Sequence, residues 1–100
     1  EYINNNIKVD ISMDVTQINP NIHDLFLKYN TLYFDNKLSA CVIEWSKRMT
    51  LCAGICYYKP NGFCVIRLSQ KLLQYRPTTD LVDTLIHESI HAYLFVTQNN

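Results

Sequence analysis

Two imidazoles and a carboxylate are spaced for metal chemistry in the segment His87-Glu88-Ser89-Ile90-His91. In a helix, residues four positions apart lie on one face, one turn apart, so His87 and His91 can reach the same ion. Glu88 is rotated away from that direction and is placed to take a proton from water instead of binding the metal. Zinc fits because it lowers the pKa of bound water and polarises a carbonyl. The pattern predicts a zinc hydrolase with Glu88 as its base.

The segment supplies only part of a catalytic zinc site. Such a site takes three protein ligands and keeps one position open, whereas His87 and His91 provide two. Asp83 lies about 12 Å from His91 along the helix axis, which is too far for both to bind one ion. We therefore expect the third ligand to lie beyond Asn100. On this interpretation the chain is truncated, and taken alone it binds metal poorly and shows little catalysis.

Residues 80–96 predict a helix that is buried on most sides. At about 100° per residue, one broad arc is apolar and holds Leu81, Val82, Leu85, Ile86, Ile90, Ala92, Tyr93 and Val96. The remaining arc holds Asp80, Asp83, Thr84, His87, Glu88 and His91. This polar arc contains no Lys, Arg or Gln, so we expect it to line a cavity. The alternative is a wet helix face whose histidines are merely structural. His23, alone near the first helix, is expected to be a surface or packing residue.

A helix and three strands are predicted ahead of this segment. Asn19-Pro20 marks a helix start, because Asn caps free amide groups and Pro fits the first turn. Apolar residues at helical spacing extend that helix to about Phe34, and Asp35-Asn36-Lys37 ends it. Three short apolar runs then predict strands, at residues 41–45, 54–58 and 63–68.

The connections between these elements complete the predicted fold. Lys59-Pro60-Asn61-Gly62 is typical of a hairpin turn, which makes the small sheet largely antiparallel. Ser69 is placed to cap a short helix. The final helix is expected to start at residues 78–80, with Asp80 and Asp83 at capping-box spacing. The predicted class is α+β: an N-terminal helix, a three-stranded sheet, a short helix, then the buried helix that carries the histidines.

Composition and charge indicate one small globular domain. The chain has 100 residues, of which 48% are hydrophobic and 18% charged, and its formal net charge is zero. That balance argues against a strongly nucleic-acid-seeking or membrane-seeking surface. Between Glu44 and Asp80, however, every charged residue is basic: Lys47, Arg48, Lys59, Arg67, Lys71 and Arg76. This stretch could contact phosphate or an acidic partner, and the alternative is an ordinary solvated sheet face.

The cysteines and the apolar runs bear on where such a chain resides. Its four cysteines are Cys41, Cys52, Cys56 and Cys64. An even number permits a disulfide framework, but no secretory signal is evident at the start, so we expect buried thiols in a reducing compartment. A second zinc site at Cys52, Cys56 and Cys64 lacks a fourth partner. No apolar run approaches the roughly 18 residues of a membrane span.

Three blocks, at residues 44–56, 66–69 and 80–97, resemble the SprT-like zinc metallopeptidases. The resemblance covers residues 22–98 and implies a zincin-like fold. It also implies that His87 and His91 are zinc ligands, that Glu88 is the catalytic glutamate, and that the third ligand is a histidine just past Asn100. Residues 19–100 would then be the front part of the peptidase domain. Residues 1–18 match nothing in the family and are expected to be an extended lead-in or an edge strand.

The resemblance also implies a biological role. Its DNA-dependent members cleave proteins crosslinked to DNA in repair, which implies a nuclear location, DNA-bound protein substrates and DNA contacts at Lys47, Arg48 and Lys59. Family regions outside this chain carry a DNA-contacting zinc subdomain and segments that bind the sliding clamp, ubiquitin and an unfoldase. No membrane partner is implied. The alternative is a non-catalytic module that keeps the fold and binds DNA or protein.

Overall fold

The computed structural model describes residues 21–60 and 63–98, and it confirms the α+β class and the predicted order of elements. The elements are α1 (Ile22–Tyr33), β1 (Val42–Ser46), β2 (Gly54–Tyr58), β3 (Cys64–Ser69), α2 (Gln70–Leu73) and α3 (Thr78–Gln98). Most bounds differ by one or two residues from those expected. The predicted lead-in, residues 1–18, lies outside the described residues.

Asn21 caps the start of helix α1, and Asp35 and Asn36 follow its end. The Asn21 side chain caps it by accepting hydrogen bonds from the backbone N–H groups of His23 (2.8 Å) and Asp24 (3.3 Å). The predicted start signal at residues 19–20 lies outside the described residues. Past the end of the helix, Asp35 and Asn36 take positive φ values of 52° and 58°. These two residue types tolerate the left-handed region, so the predicted stop is confirmed.

A buried asparagine then fixes the path into the sheet. Asn30 is 1% exposed, and its Oδ1 accepts the backbone N–H of Leu38 at 3.0 Å. Its Nδ2 donates to the Ser39 hydroxyl at 3.3 Å. These bonds satisfy the buried amide and hold Leu38 in the core, where it is fully buried. The segment before β1 is therefore positioned by a side chain of α1.

The sheet is mixed, with β3 in the centre and the order β1-β3-β2. Strands β2 and β3 form the predicted antiparallel hairpin, closed by a hydrogen bond from the Lys59 N–H to the Phe63 carbonyl at 2.7 Å. The turn residues 61–62 lie outside the described residues. Strand β1 pairs parallel with β3. The segment 47–53 must therefore cross the end of β3 to reach β2.

Both long helices pack on one face of the sheet, called here the inner face. Along β3 the residues of that face, Cys64, Ile66 and Leu68, are fully buried. Helix α1 contacts β1, and α3 contacts β2 and β3. The two helices meet where the rings of Phe34 and Tyr93 lie 5.5 Å apart. One core therefore lies between the helices and the sheet.

Serine caps α2 as predicted, and α3 starts within the predicted range, but Asp80 does not cap it. The Ser69 hydroxyl accepts the Leu72 N–H at 3.1 Å. Helix α3 begins at Thr78, so Asp80 lies within its first turn and the capping-box interpretation is wrong. Asp80 instead pairs with Arg76 at 3.5 Å, near the positive end of the helix dipole. No helix in the described part of the chain is long and apolar enough to span a membrane.

Candidate metal centre

The two histidines of α3 bring their ring nitrogens together. The Nε2 atoms of His87 and His91 lie 3.2 Å apart, with ring centroids 4.7 Å apart and ring planes at 81°. Two ligands on one tetrahedral zinc, each at 2.0–2.1 Å, would have nitrogens about 3.3 Å apart. The observed spacing fits that requirement. His91 is exposed and His87 half-buried, so the pair opens toward the surface.

No third ligand joins the pair among residues 21–60 and 63–98. Within these ranges, no group of three His, Cys, Asp or Glu side chains could hold a metal ion. Asp83 is exposed on the same helix but does not complete the set. A catalytic zinc takes three protein ligands, so the two histidines, if they bind a metal, need a further ligand.

Glu88 lies in a different environment from the histidines that flank it. It is 8% exposed, although it sits between a half-buried and an exposed histidine on α3. Burial raises the pKa of the Glu88 carboxyl, and the nearby His87 and His91 act in the opposite direction. Glu88 is thus held beside the histidine pair, with burial and the histidines acting in opposite directions on its pKa. Such a carboxylate is suited to accept and return a proton.

The burial of Glu88 depends on a glycine in β2, and sequence reasoning missed this contact. A Cβ atom at Gly54 would lie 2.7 Å from Thr84 Cγ2, 3.0 Å from Glu88 Cγ and 3.4 Å from Glu88 Oε2. The first distance is shorter than real Cβ contacts allow, so only glycine permits this approach. A glycine at the start of a strand in a glycine-poor chain was the available signal. We call this approach the sheet contact.

Helix α3 is held along β2 at a second point. The Tyr58 and Phe95 rings stack with centroids 4.5 Å apart, so Gly54 meets the middle of α3 and Tyr58 meets its later turns. Within α3, the buried Ser89 hydroxyl donates to the Leu85 carbonyl at 2.7 Å. Strand β2 is an edge strand of the described sheet. The first residue of this edge strand, Gly54, lies against Glu88.

Comparison with protein-family models identifies the family of the chain. The SprT-like family model matches residues 22–100. The chain belongs to the SprT-like family. The matched span of this SprT-like chain includes the histidine pair, Glu88 and Gly54.

Curated relatives of this SprT-like chain carry names that describe DNA-dependent metalloproteases. The DNA-dependent metalloprotease SPRTN of Danio rerio is 54% identical over 93 residues, which are 92% of this chain and 15% of that protein. SPRTN of Homo sapiens is 52% identical over 93 residues, covering 92% of this chain and 19% of that protein. DNA-dependent metalloprotease dvc-1 of Caenorhabditis elegans is 48% identical over 96 residues, covering 92% and 26%. The chain therefore spans about a quarter or less of the length of these relatives.

The three predicted DNA-facing side chains of this SprT-like chain do not form one patch. Lys47 and Arg48 follow β1, at the end of the sheet where Gly54 pairs with Leu68. Lys59 follows β2 at the opposite end, about 17 Å away along β3. All three side chains are exposed. The structure thus separates the predicted DNA-facing residues into two places.

Acidic groups from outside the basic stretch neutralise part of its charge. Arg67 forms an ion pair with Glu44 on the neighbouring strand. Arg76 pairs with Asp80 at 3.5 Å. Both carboxylates lie outside the stretch in sequence, but the fold brings them against it. The local positive charge is therefore smaller than the sequence indicates.

The remaining candidate residues stay apart from the histidine pair. His23 is exposed in the first turn of α1, in agreement with a surface role. All four cysteines are free thiols. Cys52, Cys56 and Cys64 form no metal-holding group within the described ranges, so the structure gives the alternative second zinc site no support.

Proposed function

We propose that this chain contributes the zinc-binding helix of an endopeptidase, in which His87 and His91 bind zinc and Glu88 is the catalytic base. One observation carries the proposal: two imidazole nitrogens 3.2 Å apart lie beside a carboxylate that is 8% exposed. Nitrogen ligands at this spacing suit zinc. The relatives named as metalloproteases support a metal-dependent protease.

In this proposal the protein positions Glu88 as the proton acceptor. Zinc bound to the two histidines and a third ligand would polarise a peptide carbonyl and lower the pKa of water. Glu88 accepts the proton of the attacking water and then delivers it to the departing amine nitrogen. Burial raises the pKa of Glu88, which strengthens it as a base and so helps the first transfer, from water to the carboxylate.

The edge of β2 is the proposed docking position for the substrate backbone. Its outer edge pairs with no other described strand, and β2 meets Glu88 at the sheet contact. An extended peptide can add to such an edge through main-chain hydrogen bonds. A peptide bound there would carry its carbonyl groups past Glu88. We therefore propose an extended, locally unfolded polypeptide as the substrate.

We further propose that the substrates are proteins held on DNA, in particular proteins crosslinked to DNA, and that the full-length protein acts in the nucleus. The names of the relatives, DNA-dependent metalloproteases, support a link between cleavage and DNA. Lys47 and Arg48 are exposed at the end of the sheet that holds Gly54. Phosphate contacts there would hold DNA near the cleavage site without reading its sequence.

The test compares wild-type full-length protein with Glu88→Gln. We expect Glu88→Gln to keep its zinc and to lose cleavage of a DNA-bound protein by about 10²–10⁴-fold. Zinc content is measured by elemental analysis, and cleavage is followed with and without DNA. Undiminished cleavage by Glu88→Gln would contradict the role given to this carboxylate.

A second candidate is a non-catalytic module that keeps the fold and binds DNA or protein. It is favoured by one observation, the absence of a third metal ligand among the described residues. The same experiment separates the two candidates. A module of this kind would bind DNA while the wild-type and Glu88→Gln proteins both leave the substrate intact.

A further inference from the structure

Three cysteines meet on the inner face of the sheet, away from the histidine pair. Cys64 begins β3, and Cys41 precedes Val42, whose partner on β3 is Val65. Cys41 therefore lies opposite Cys64. On the other side of β3, Cys56 pairs with Ile66 and so lies on the same face, diagonal to Cys64. We call Cys41, Cys56 and Cys64 the thiol cluster.

The sulfur atoms of Cys41 and Cys64 are in direct contact. Their Sγ atoms lie 2.8 Å apart, and both thiols are free. Cys64 is fully buried, whereas Cys41 is partly exposed. Hydrogen bonds from Cys41 and Cys56 lower the pKa of the Cys64 thiol and raise those of its two donors. Because Cys41 is partly exposed, a small oxidant can approach the pair from the Cys41 side.

The backbone at this position permits a covalent bond between the two sulfurs. Neighbouring strands lie about 4.7–4.9 Å apart, and disulfides span Cα separations of about 4.4–6.8 Å. The side chains of Cys41 and Cys64 already point at each other. We propose that Cys41 and Cys64 form a reversible oxidation site, at which a peroxide converts the two thiols into one disulfide.

The reaction balances with hydrogen peroxide as the oxidant. The Cys64 sulfur, whose pKa is lowered, attacks one peroxide oxygen as the thiolate; the O–O bond breaks, and the hydroxide that leaves takes up the proton lost by the thiol and becomes water. The sulfenic acid of Cys64 is then attacked by the Cys41 sulfur. The S–S bond forms, the S–O bond breaks, and the hydroxyl group leaves with the Cys41 proton as a second water. The two electrons lost by the thiols reduce the peroxide, and an added dithiol reverses the reaction by exchange.

The disulfide would join the parallel pair of strands at one end of the sheet. It closes a loop that runs from Cys41 through β2 to Cys64, which restricts the unfolded chain and stabilises the folded one. We therefore expect oxidation to raise the melting temperature of this domain by on the order of 10 °C. Because the readout is a crosslink and a melting temperature, it does not depend on the proposed protease function.

The test uses full-length protein, first reduced with dithiothreitol and then exposed to hydrogen peroxide. We expect non-reducing peptide mapping to find a Cys41–Cys64 crosslink, and the rise in melting temperature to reverse on renewed reduction. Cys41 is half-exposed, and Cys41→Ser is a nearly isosteric change that should remove both effects. Cys52→Ser, at an exposed thiol outside the thiol cluster, is the matched control and should retain both.

Three results would overturn the proposal. One is that Cys41 and Cys64 can still be alkylated after a peroxide dose that oxidises the exposed Cys52. A second is a crosslink between Cys56 and Cys64 in place of the proposed one. The third is a rise in melting temperature that persists in Cys41→Ser.

Discussion

The histidine pair and the sheet contact serve the same site but are built in different ways. His87 and His91 are neighbours because a helix repeats every turn, so their 3.2 Å nitrogen separation needs only a helical α3 and suitable rotamers of the two rings. The sheet contact joins Gly54 of β2 to Thr84 and Glu88 of α3, and it exists only when sheet and helix dock. The proposed metal ligands are thus positioned locally, whereas the environment of Glu88, the proposed base, is set by tertiary packing. Substitutions in the two regions should therefore have different effects.

The largest effect is expected in the histidine pair. In the full-length protein, His91→Ala removes one metal ligand and leaves the fold intact, because His91 is exposed. Losing residues that merely orient a ligand already costs about 10–100-fold in metal affinity, so we expect a greater loss here, with cleavage undetectable. Zinc affinity is measured by competition with a chelating dye.

His23→Ala is the matched control for this substitution. His23 is also an exposed helical histidine, but it lies on α1. Its replacement should leave zinc affinity and cleavage unchanged. Equal losses in both variants would indicate a general effect of removing histidine and would contradict the assignment.

The next largest effect is expected at the sheet contact. Gly54→Ala places a methyl group 2.7 Å from Thr84 Cγ2, so the side chains of Thr84 and Glu88 or the docking of β2 on α3 must shift. We expect a loss of about 1–3 kcal/mol in the free energy of unfolding. Displacement of Glu88 should also lower kcat by about 10-fold or more while zinc remains bound. Chemical denaturation and steady-state kinetics measure the two effects.

A second substitution should reverse part of this damage. Thr84→Ser removes Cγ2 but keeps the hydroxyl that donates to the Asp80 carbonyl at 2.8 Å. The pair Gly54→Ala with Thr84→Ser should therefore be more stable and more active than Gly54→Ala alone. Strictly additive effects would show that the two positions do not touch.

Two helix caps extend the comparison between local and tertiary contacts to stability. Asn21 caps α1 through local bonds only, so Asn21→Ala should cost about 1 kcal/mol. Ser69 caps α2 and also donates to the Met49 carbonyl at 2.6 Å, which fixes the segment that crosses β3. Ser69→Ala should cost about 2–3 kcal/mol. Equal costs in urea denaturation would mean that the Met49 bond contributes nothing.

The smallest effect is expected on the exposed basic side chains. Replacing Lys47 and Arg48 with Glu in the full-length protein should lower DNA affinity severalfold. Each lost phosphate contact should also reduce, by about one, the slope of the logarithm of the binding constant against the logarithm of salt concentration. Lys59→Glu, at the opposite end of the sheet, should have a weaker effect. Fluorescence titration over a range of salt concentrations measures both. Unchanged affinity in every variant would remove DNA contact from this face.

The sequence predicts those features that neighbouring residues determine. The helix that carries the histidines, the Ser69 cap and the β2–β3 hairpin are all confirmed, because each depends on periodicity or on a few adjacent residues. The observed bounds of β1 and β3 differ from the predicted ones by one residue, because residues at the end of an element have few contacts that fix where it stops.

Features that depend on docking were not predictable in the same way. Nothing within residues 41–68 indicates that β3 inserts between β1 and β2, which is what makes β1 parallel to its partner. The same topology brings Cys41 to Cys64 and Glu44 to Arg67. The capping-box expectation at Asp80 failed because α3 starts at Thr78, the first residue of the predicted range, so Asp80 lies inside the helix.

The most direct test of the central claim is anomalous diffraction at the zinc edge from crystals of the full-length protein. We predict one strong peak between the Nε2 atoms of His87 and His91, and the same peak in Glu88→Gln. A well-ordered α3 with zinc supplied and no anomalous signal between these two rings would contradict the assignment of a metal centre to this helix.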